Sequence, residues 1–468
     1  MIYKTKPLKH QEQATERFVD EPYGALFCEM GTGKTKIILD VLQNSKQPIS
    51  VLVVAPNGLH HNWAKNEIPK HAEKADVYCW NGPPNSKKKQ QELTRFYNTQ
   101  SYNKYFLINV EALRTKSGFD YAHAFLIGAH GTERHIVVDE STCIKNPKAQ
   151  QTKAVMKLAK QAERKWILNG TPITQGPLDL FSQCKFLAND ALPYPTMTSF
   201  KHAYAIETTM TMGNRSFRKV VGYQNLDKLT KSLEPFSLRL EKKDCLDLPE
   251  KTFNQVYVEL TPEQERVYKQ IKNDCISLLE NGDLITTTMA LTKIVKLHQI
   301  LTGFVITDSD LAVDLKNNRI AALEQICEVA KPVVVFCAYK HNVEQIQREL
   351  GKSLNIVTYT GNDATTNRNQ AVEDFQNGKA DVFLATSAAA KGLTLTRAST
   401  MVYYSNNYSL ETRLQSQDRI HRIGQDNKCT YIDLVVPNTI DEAILKRLEE
   451  KKELSNEVLD DLIDIIKQ

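Results

Sequence analysis

Short unbroken apolar runs recur along the chain, each followed by a stretch of helical period. In the first half they are "VLVVAP" from Val51, "YFLINV" from Tyr105, "HIVVDE" from His135 and "KWILNG" from Lys165. In the second half they are "PVVVFC" from Pro332, "NIVTYT" from Asn355, "DVFLAT" from Asp381, "TMVYYS" from Thr400 and "YIDLVV" from Tyr431. A strand that is apolar at every position is buried on both faces, which is the signature of a parallel sheet covered by helices. Two clusters of such strands predict an α/β protein of two doubly wound parallel-sheet domains, divided as residues 1–240 and 241–468. Between the clusters, from Pro193 to Lys331, "LTPEQERVYKQIKNDCISLLE" and "TKIVKLHQIL" have helical period and predict helical insertions bridging the domains. The last stretch, from "IDEAILKRLEE" onward, predicts a charged amphipathic helix or helix pair packed on the second domain.

Composition adds little to this picture and removes several classes. The 468 residues are 41% hydrophobic and 25% charged, a globular balance. No apolar run approaches the ~18 residues of a membrane span, and the polar start has no secretory core. Nine cysteines are scattered without CxxC spacing, which predicts free thiols in a reducing compartment. The net charge of +5 permits a polyanionic partner without demanding one.

The candidate chemistry begins at "FCEMGTGKTK", Phe27–Lys36. A phosphate loop needs little bulk where backbone N–H groups wrap an anion, and Gly31 and Gly33 supply that. Met30, Gly31, Thr32 and Gly33 form the cradle, Lys34 reaches the outer phosphates, and Thr35 ligates Mg2+. The helix beginning near Lys34 turns its positive end toward the same anion. Cys28 stands where a strict phosphate loop has its first glycine. "HIVVDEST" supplies the complementary acids at a strand end: Asp139 to hold the hydrated Mg2+, Glu140 to polarise the attacking water. In the other domain, Arg419 and Arg422 of "LQSQDRIHRIGQ" are three apart, on one face of an expected helix, and suit a shifting phosphate charge.

Together these segments resemble superfamily-two helicases, and more narrowly the Swi/Snf-like family of DNA-translocating ATPases. "LKHQEQA" is similar to the family's leading motif, in which Gln11 would read adenine. "CEMGTGKT" is similar to its phosphate loop, which also lacks the first glycine. "VVAPNGLHHNWAKNEI", "DEST" with "IKNPKAQQTKA", "LNGTPITQGPLDLFS" and the "SLRLEKKDCLDLPEKTFNQVYVELTPEQERVY" connector look like successive family elements. "YTGNDATTNRNQAVEDFQNG" and "ATSAAAKGLTLTRAS" resemble elements of the second lobe, and the ending His-Arg-Ile-Gly-Gln is the most specific match. The resemblance implies two RecA-like lobes with helical insertions and ATP with Mg2+ as the cofactors. It adds Gly392 and Gln415 to the nucleotide site. For nucleic-acid contact it implies Trp63, Lys145 and Asn146 in the first lobe and Lys340, Arg368 and Thr386 in the second. Thr142, Thr394 and Tyr408 depart from the family's usual histidine, asparagine and tryptophan, which puts the coupling of hydrolysis to nucleic acid in question.

The expected activity is ATP-driven translocation on double-stranded DNA, with remodelling of branched DNA or of a DNA-bound protein. A strand-separating DNA or RNA helicase and an ATP-gated recruitment module are the alternatives. No separating wedge is identifiable in the sequence, and "VYYSNNY" is taken as packing rather than a stacking platform. "SKKKQQ" is expected to be a solvated loop, and His60-His61 loop structure, since no metal partner lies at ligand spacing. A monomer in the cytoplasm of a bacterial or phage-infected cell is the expected setting.

Overall fold

The computed structural model describes residues 1–450 other than 100–102, 171, 174–175, 213–214, 281–283, 308 and 391. It divides into two compact units, Met1–Leu246 and Asp247–Gln468. The C-terminal part of the expected terminal helix pair, residues 451–468, lies outside the described residues.

The first unit is built on β1 (Tyr23–Cys28), β2 (Ile49–Ala55), β3 (Ala75–Cys79), β4 (Asn103–Asn109), β5 (Glu133–Asp139) and β6 (Arg164–Asn169). A separate antiparallel hairpin follows, β7 (Ala205–Met212) and β8 (Arg215–Tyr223), and then β9 (Ser237–Leu240). The seven-stranded sheet is parallel throughout, in the order β3-β4-β2-β5-β6-β1-β9. Alternate residues of one strand feed two cores: Ile136 and Val138 of β5 enter one, Val137 the other. That is why the central strands carry unbroken apolar runs, and each buried aliphatic side chain stabilises by about 1.5–3 kcal/mol.

The helix Lys34–Gln43 lies against one face and buries Ile37, Ile38, Leu39, Val41 and Leu42. Its Asp40 is buried too, paired with Lys36 at 2.7 Å and bonded by Gln43 at 2.9 Å. Burial raises the Asp40 carboxyl's pKa, and the Lys36 bond opposes that.

The second unit carries β10 (Lys251–Tyr257), a small β11 (Phe304–Ile306) and β12 (Ala312–Asp314) pair, then β13 (Val333–Phe336), β14 (Ile356–Tyr359), β15 (Val382–Ala385), β16 (Thr400–Tyr403) and β17 (Cys429–Val435). Its six-stranded parallel sheet runs β10-β17-β16-β13-β15-β14. Val334 and Phe336 face one core and Val333 and Val335 the other. A third cluster is helical: Ile294, Leu297 and Leu301 pack with Ile440 and Ile444.

All nine apolar runs of the sequence are strands, and the fold class is α/β with two RecA-like parallel sheets. Three expectations need correction. The 193–331 segment is not purely helical: it holds the β7–β8 hairpin, and its β9 and β10 complete the two sheets as edge strands. Their polar alternation hid them, since an edge strand is buried less than a central one. "SKKKQQ" begins a helix, Lys87–Asn98, because Ser86 caps it by accepting Lys89 N–H at 3.3 Å and Leu93 and Phe96 bury one face. Arg419 and Arg422 do not share a helix: the helix Leu410–Gln417 ends before them. Arg419 Nε takes the Gln415 carbonyl at 2.9 Å that a continued helix would offer to its amide.

Candidate active site

The first unit gathers its candidate groups at the carboxyl ends of β1, β5 and β6, where ligands bind in open parallel sheets. Between β1 and the following helix, Gly31 and Gly33 take φ of 84° and 89°, a left-handed turn that side chains resist. A Cβ at Gly33 would lie 2.3 Å from Gln11 Nε2, so it would push Gln11 out of place. Gln11 is buried in the helix Lys9–Phe18 and donates to the Thr32 carbonyl at 3.1 Å. His10 Nε2 meets the same oxygen at 2.9 Å, and Thr32 Oγ donates to Glu29 O at 2.8 Å. Gln11 thus fixes the loop from beneath.

Lys34 Nζ bridges back to the Cys28 and Glu29 carbonyls at 2.7 and 3.3 Å, holding the ammonium over the loop. The Cys28 thiol is buried, pushed up to about 12 by desolvation, so it is packing and not chemistry. Thr35 follows Lys34 in the first helical turn, half-buried. Gly170, just after β6, keeps the opposite wall low: a methyl there would reach within 3.1 Å of Met30 Cγ and 3.5 Å of Lys34 Nζ.

Asp139 closes β5 and is buried. Its Oδ2 accepts the indole N–H of Trp63 at 2.8 Å, and its Oδ1 accepts the Glu140 amide at 2.9 Å. Glu140 follows in the left-handed region at φ 50°, a strained placement for a non-glycine residue that turns it away from the strand line. Beyond it, Ser141 Oγ donates to Gln183 Oε1 at 2.5 Å and accepts from Asn169 Nδ2 at 3.3 Å. Gln183 Nε2 in turn donates to the Pro172 and Asp179 carbonyls, both at 2.9 Å. The acidic box is therefore wired to the "LNGTP" segment through a buried polar chain. Sequence reasoning missed Gln183; a glutamine among the apolar residues of the helix Leu180–Leu187 was the available signal.

Trp63 was expected at nucleic acid, but only 1% of it is exposed. It lies in a π-helical turn, Trp63–Glu67, and its ring packs in the core, so in this structure it faces Asp139 and not solvent. Lys145 is half-buried and pairs with Asp179 at 3.5 Å, while Asn146 is exposed and accepts the Lys148 amide at 2.9 Å.

In the second unit, Arg419 and Arg422 leave successive turns and converge. Each donates from Nη1 to the carbonyl of Leu393 at 3.0 Å. Leu393 follows Gly392, which sits at φ 74°. Gln415 is buried and donates to Glu411 at 2.7 Å. The closing Gln425 of "HRIGQ" donates to the carbonyls of Thr396, Ala398 and Ile420 at 3.1, 2.8 and 3.2 Å, pinning the arginine turns to the "KGLTLTRAS" loop. His421 Nε2 meets the Pro249 carbonyl at 2.8 Å. The specificity of that motif is thus largely architectural: its glutamine and histidine fix the turns that present the arginines. Elsewhere in this unit Lys340 is exposed and pairs with Glu344 at 2.9 Å, Arg368 lies 5.7 Å over the Tyr359 ring, and Thr386 N–H donates to Tyr359 O at 3.2 Å. Tyr403 and Tyr404 are core residues, and Tyr408 packs on His298, as packing requires.

The SNF2-related domain model matches residues 11–305, and the helicase conserved C-terminal domain model matches residues 318–424. The chain belongs to the SNF2-related family. This SNF2-related chain is 26% identical over 96% of its length to an uncharacterized ATP-dependent helicase of Mycoplasma genitalium, covering 41% of that protein. It is 24% identical over 93% of its length to the putative ATP-dependent helicase/translocase YwqA of Bacillus subtilis, covering 46% of it. The chain therefore spans less than half the length of these relatives. A solved SWI2/SNF2 ATPase core of Sulfolobus solfataricus in complex with double-stranded DNA aligns over 99% of this chain and 95% of that one, at 22% identity and a TM-score of 0.42. Among the described residues of the SNF2-related chain, no helix is long and apolar enough to cross a membrane, and eight of the nine cysteines, those whose side chains the structure describes, are free thiols.

Proposed function

We propose that this chain is an ATP-dependent translocase on double-stranded DNA. The observation that carries the reading is the first-unit constellation: a glycine loop braced by Gln11, Lys34 held over it, and Asp139 oriented by Trp63. Its donor set fits a nucleotide with Mg2+: backbone N–H groups and an ammonium for phosphate, a hydroxyl and a carboxylate for a hard cation. Mg2+ bound with ATP would neutralise charge on the outer phosphates. Lys34 would grip those phosphates, Thr35 and Asp139 would hold the cation, and Glu140 would accept a proton from water. Gln11 would recognise the base.

Arg419 and Arg422 would act on the same nucleotide from the second unit, so that binding and hydrolysis favour two arrangements of the units. Movement requires that these arrangements hold DNA differently, because a ligand shifts an equilibrium only through differential affinity. Lys145, Asn146, Lys340, Arg368 and Thr386 are the proposed sequence-neutral contacts to the DNA backbone. The family membership and a relative named as a putative ATP-dependent helicase/translocase support an ATP-driven motor. A DNA-bound protein is the proposed target, and a monomer the proposed motor.

One observation favours strand separation as a second reading. The β7–β8 hairpin belongs to neither main sheet, and Arg218 on it is exposed. A hairpin outside the main sheets is a device that can part a duplex. The discriminating experiment is hydrolysis measured without nucleic acid and with single-stranded DNA, duplex DNA and RNA. Stimulation greatest with blunt duplex supports the translocase; stimulation greatest with single strands overturns it.

A further inference from the structure

We propose that His60, His61 and Cys79 form a binding site for a borderline-soft divalent cation of the zinc type. The two histidines lie on the helical turn Leu59–Asn62 after β2, and Cys79 is the last residue of β3. Eighteen or more residues separate them in sequence, so no ligand spacing shows; the sheet brings them together. One ligand atom from each lies within 4.8 Å of the others. His61 Nδ1 is already 3.2 Å from Cys79 Sγ. The imidazole rings stand 4.0 Å apart, tilted by 37°, and would have to spread to share one tetrahedral ion. A tetrahedral zinc with ~2.0–2.3 Å bonds sets two nitrogens and a sulfur roughly 3.3–3.6 Å apart, so the cluster needs a contraction of up to about 1.5 Å at its widest.

Two further features point the same way. His60 is 1% exposed; its ring lies by the backbone of Pro56 and Trp80, yet its Nδ1 makes no hydrogen bond of normal geometry among the described residues. A buried ring nitrogen left unsatisfied is costly and calls for an occupant. The donors are two nitrogens and a sulfur, with no carboxylate in the group, which selects zinc over Mg2+. The oxygen donors Thr35 and Asp139 of the same unit have the opposite preference. Three protein ligands leave one coordination position for water. The cation would tie the turn after β2 to β3. That turn leads within three residues to Trp63, which holds Asp139, so the metal would act as a positioning clamp for the acidic box.

The test uses the full chain, reduced and freed of metal, with Co2+ as the probe. One cobalt per chain should bind with a sulfur-to-metal charge-transfer band, displaced by zinc. Cys79→Ser should abolish the band, and His61→Asn should keep it while weakening affinity roughly tenfold or more. A second measurement needs no variant: zinc should slow alkylation of Cys79, followed by peptide mass spectrometry, at least tenfold. Absence of the band, a band unchanged in Cys79→Ser, or equal alkylation rates with and without zinc would each overturn the proposal.

Discussion

Trp63 donates its indole N–H to Asp139 Oδ2 at 2.8 Å, and both residues are buried. The bond crosses 76 positions of sequence and aims the carboxylate that the account assigns to the cation. Trp63→Phe removes the donor and keeps most of the volume. A hydrogen bond to a charged group is worth about 1.5–3 kcal/mol, so denaturant melts should show a loss of that order. ATP hydrolysis should fall with it. Affinity for duplex DNA measured without nucleotide should hold, because the ring faces the core.

Glu140 sits in the left-handed region beside Asp139. Glu140→Gln preserves shape and removes the base. Hydrolysis should drop by about 10²–10⁴ while nucleotide binding persists, which stopped-flow measurement with a fluorescent ATP analogue separates. Full turnover in this variant would mean that the water is activated elsewhere.

The shared Leu393 carbonyl makes Arg419 and Arg422 a pair with unequal tasks. Arg419 is buried and also bonds Gln415 O, whereas Arg422 is half-buried. Arg422→Ala should leave the melting transition nearly unchanged and lower stimulated hydrolysis by about 10³ or more, as loss of an arginine finger does. Arg419→Ala should lower both. Hydrolysis unaffected by Arg422→Ala would confine the chemistry to the first unit.

Glu133 offers a pH test of the first unit. It accepts from His135, Ser45 and Arg164 at 3.0, 2.8 and 3.0 Å. The His135 bond is the largest cause holding its carboxyl down to about 2, against the opposing effect of burial. His135 Nδ1 accepts from Trp166 at 3.2 Å, which leaves Nε2 as the protonated nitrogen facing Glu133. A depressed carboxyl contributes stability above its unfolded value and loses it as pH falls from about 4.5 towards 2. Glu133→Gln should therefore flatten the acid limb of a stability–pH profile without changing its shape near neutrality.

The strands were legible because central parallel strands are apolar on both faces, as Val137 between Ile136 and Val138 shows. The phosphate loop and acidic box were legible because their chemistry is local in sequence. What failed were features decided by neighbours far along the chain. Trp63 looked like a surface contact because nothing local says that Asp139 accepts its indole N–H. Arg419 and Arg422 looked helical by spacing, yet side-chain capture of the Gln415 carbonyl ends the helix. Cys79 could not be matched with His61 until β3 was in place beside β4.

The most direct test of the motor reading is displacement of a third strand annealed to a blunt DNA duplex, followed with labels on all three strands. A duplex translocase should release the third strand only with ATP, fail to do so as Glu140→Gln, and leave the two duplex strands paired. Steady ATP hydrolysis on that substrate with the third strand still bound, or release accompanied by parting of the duplex, would contradict it.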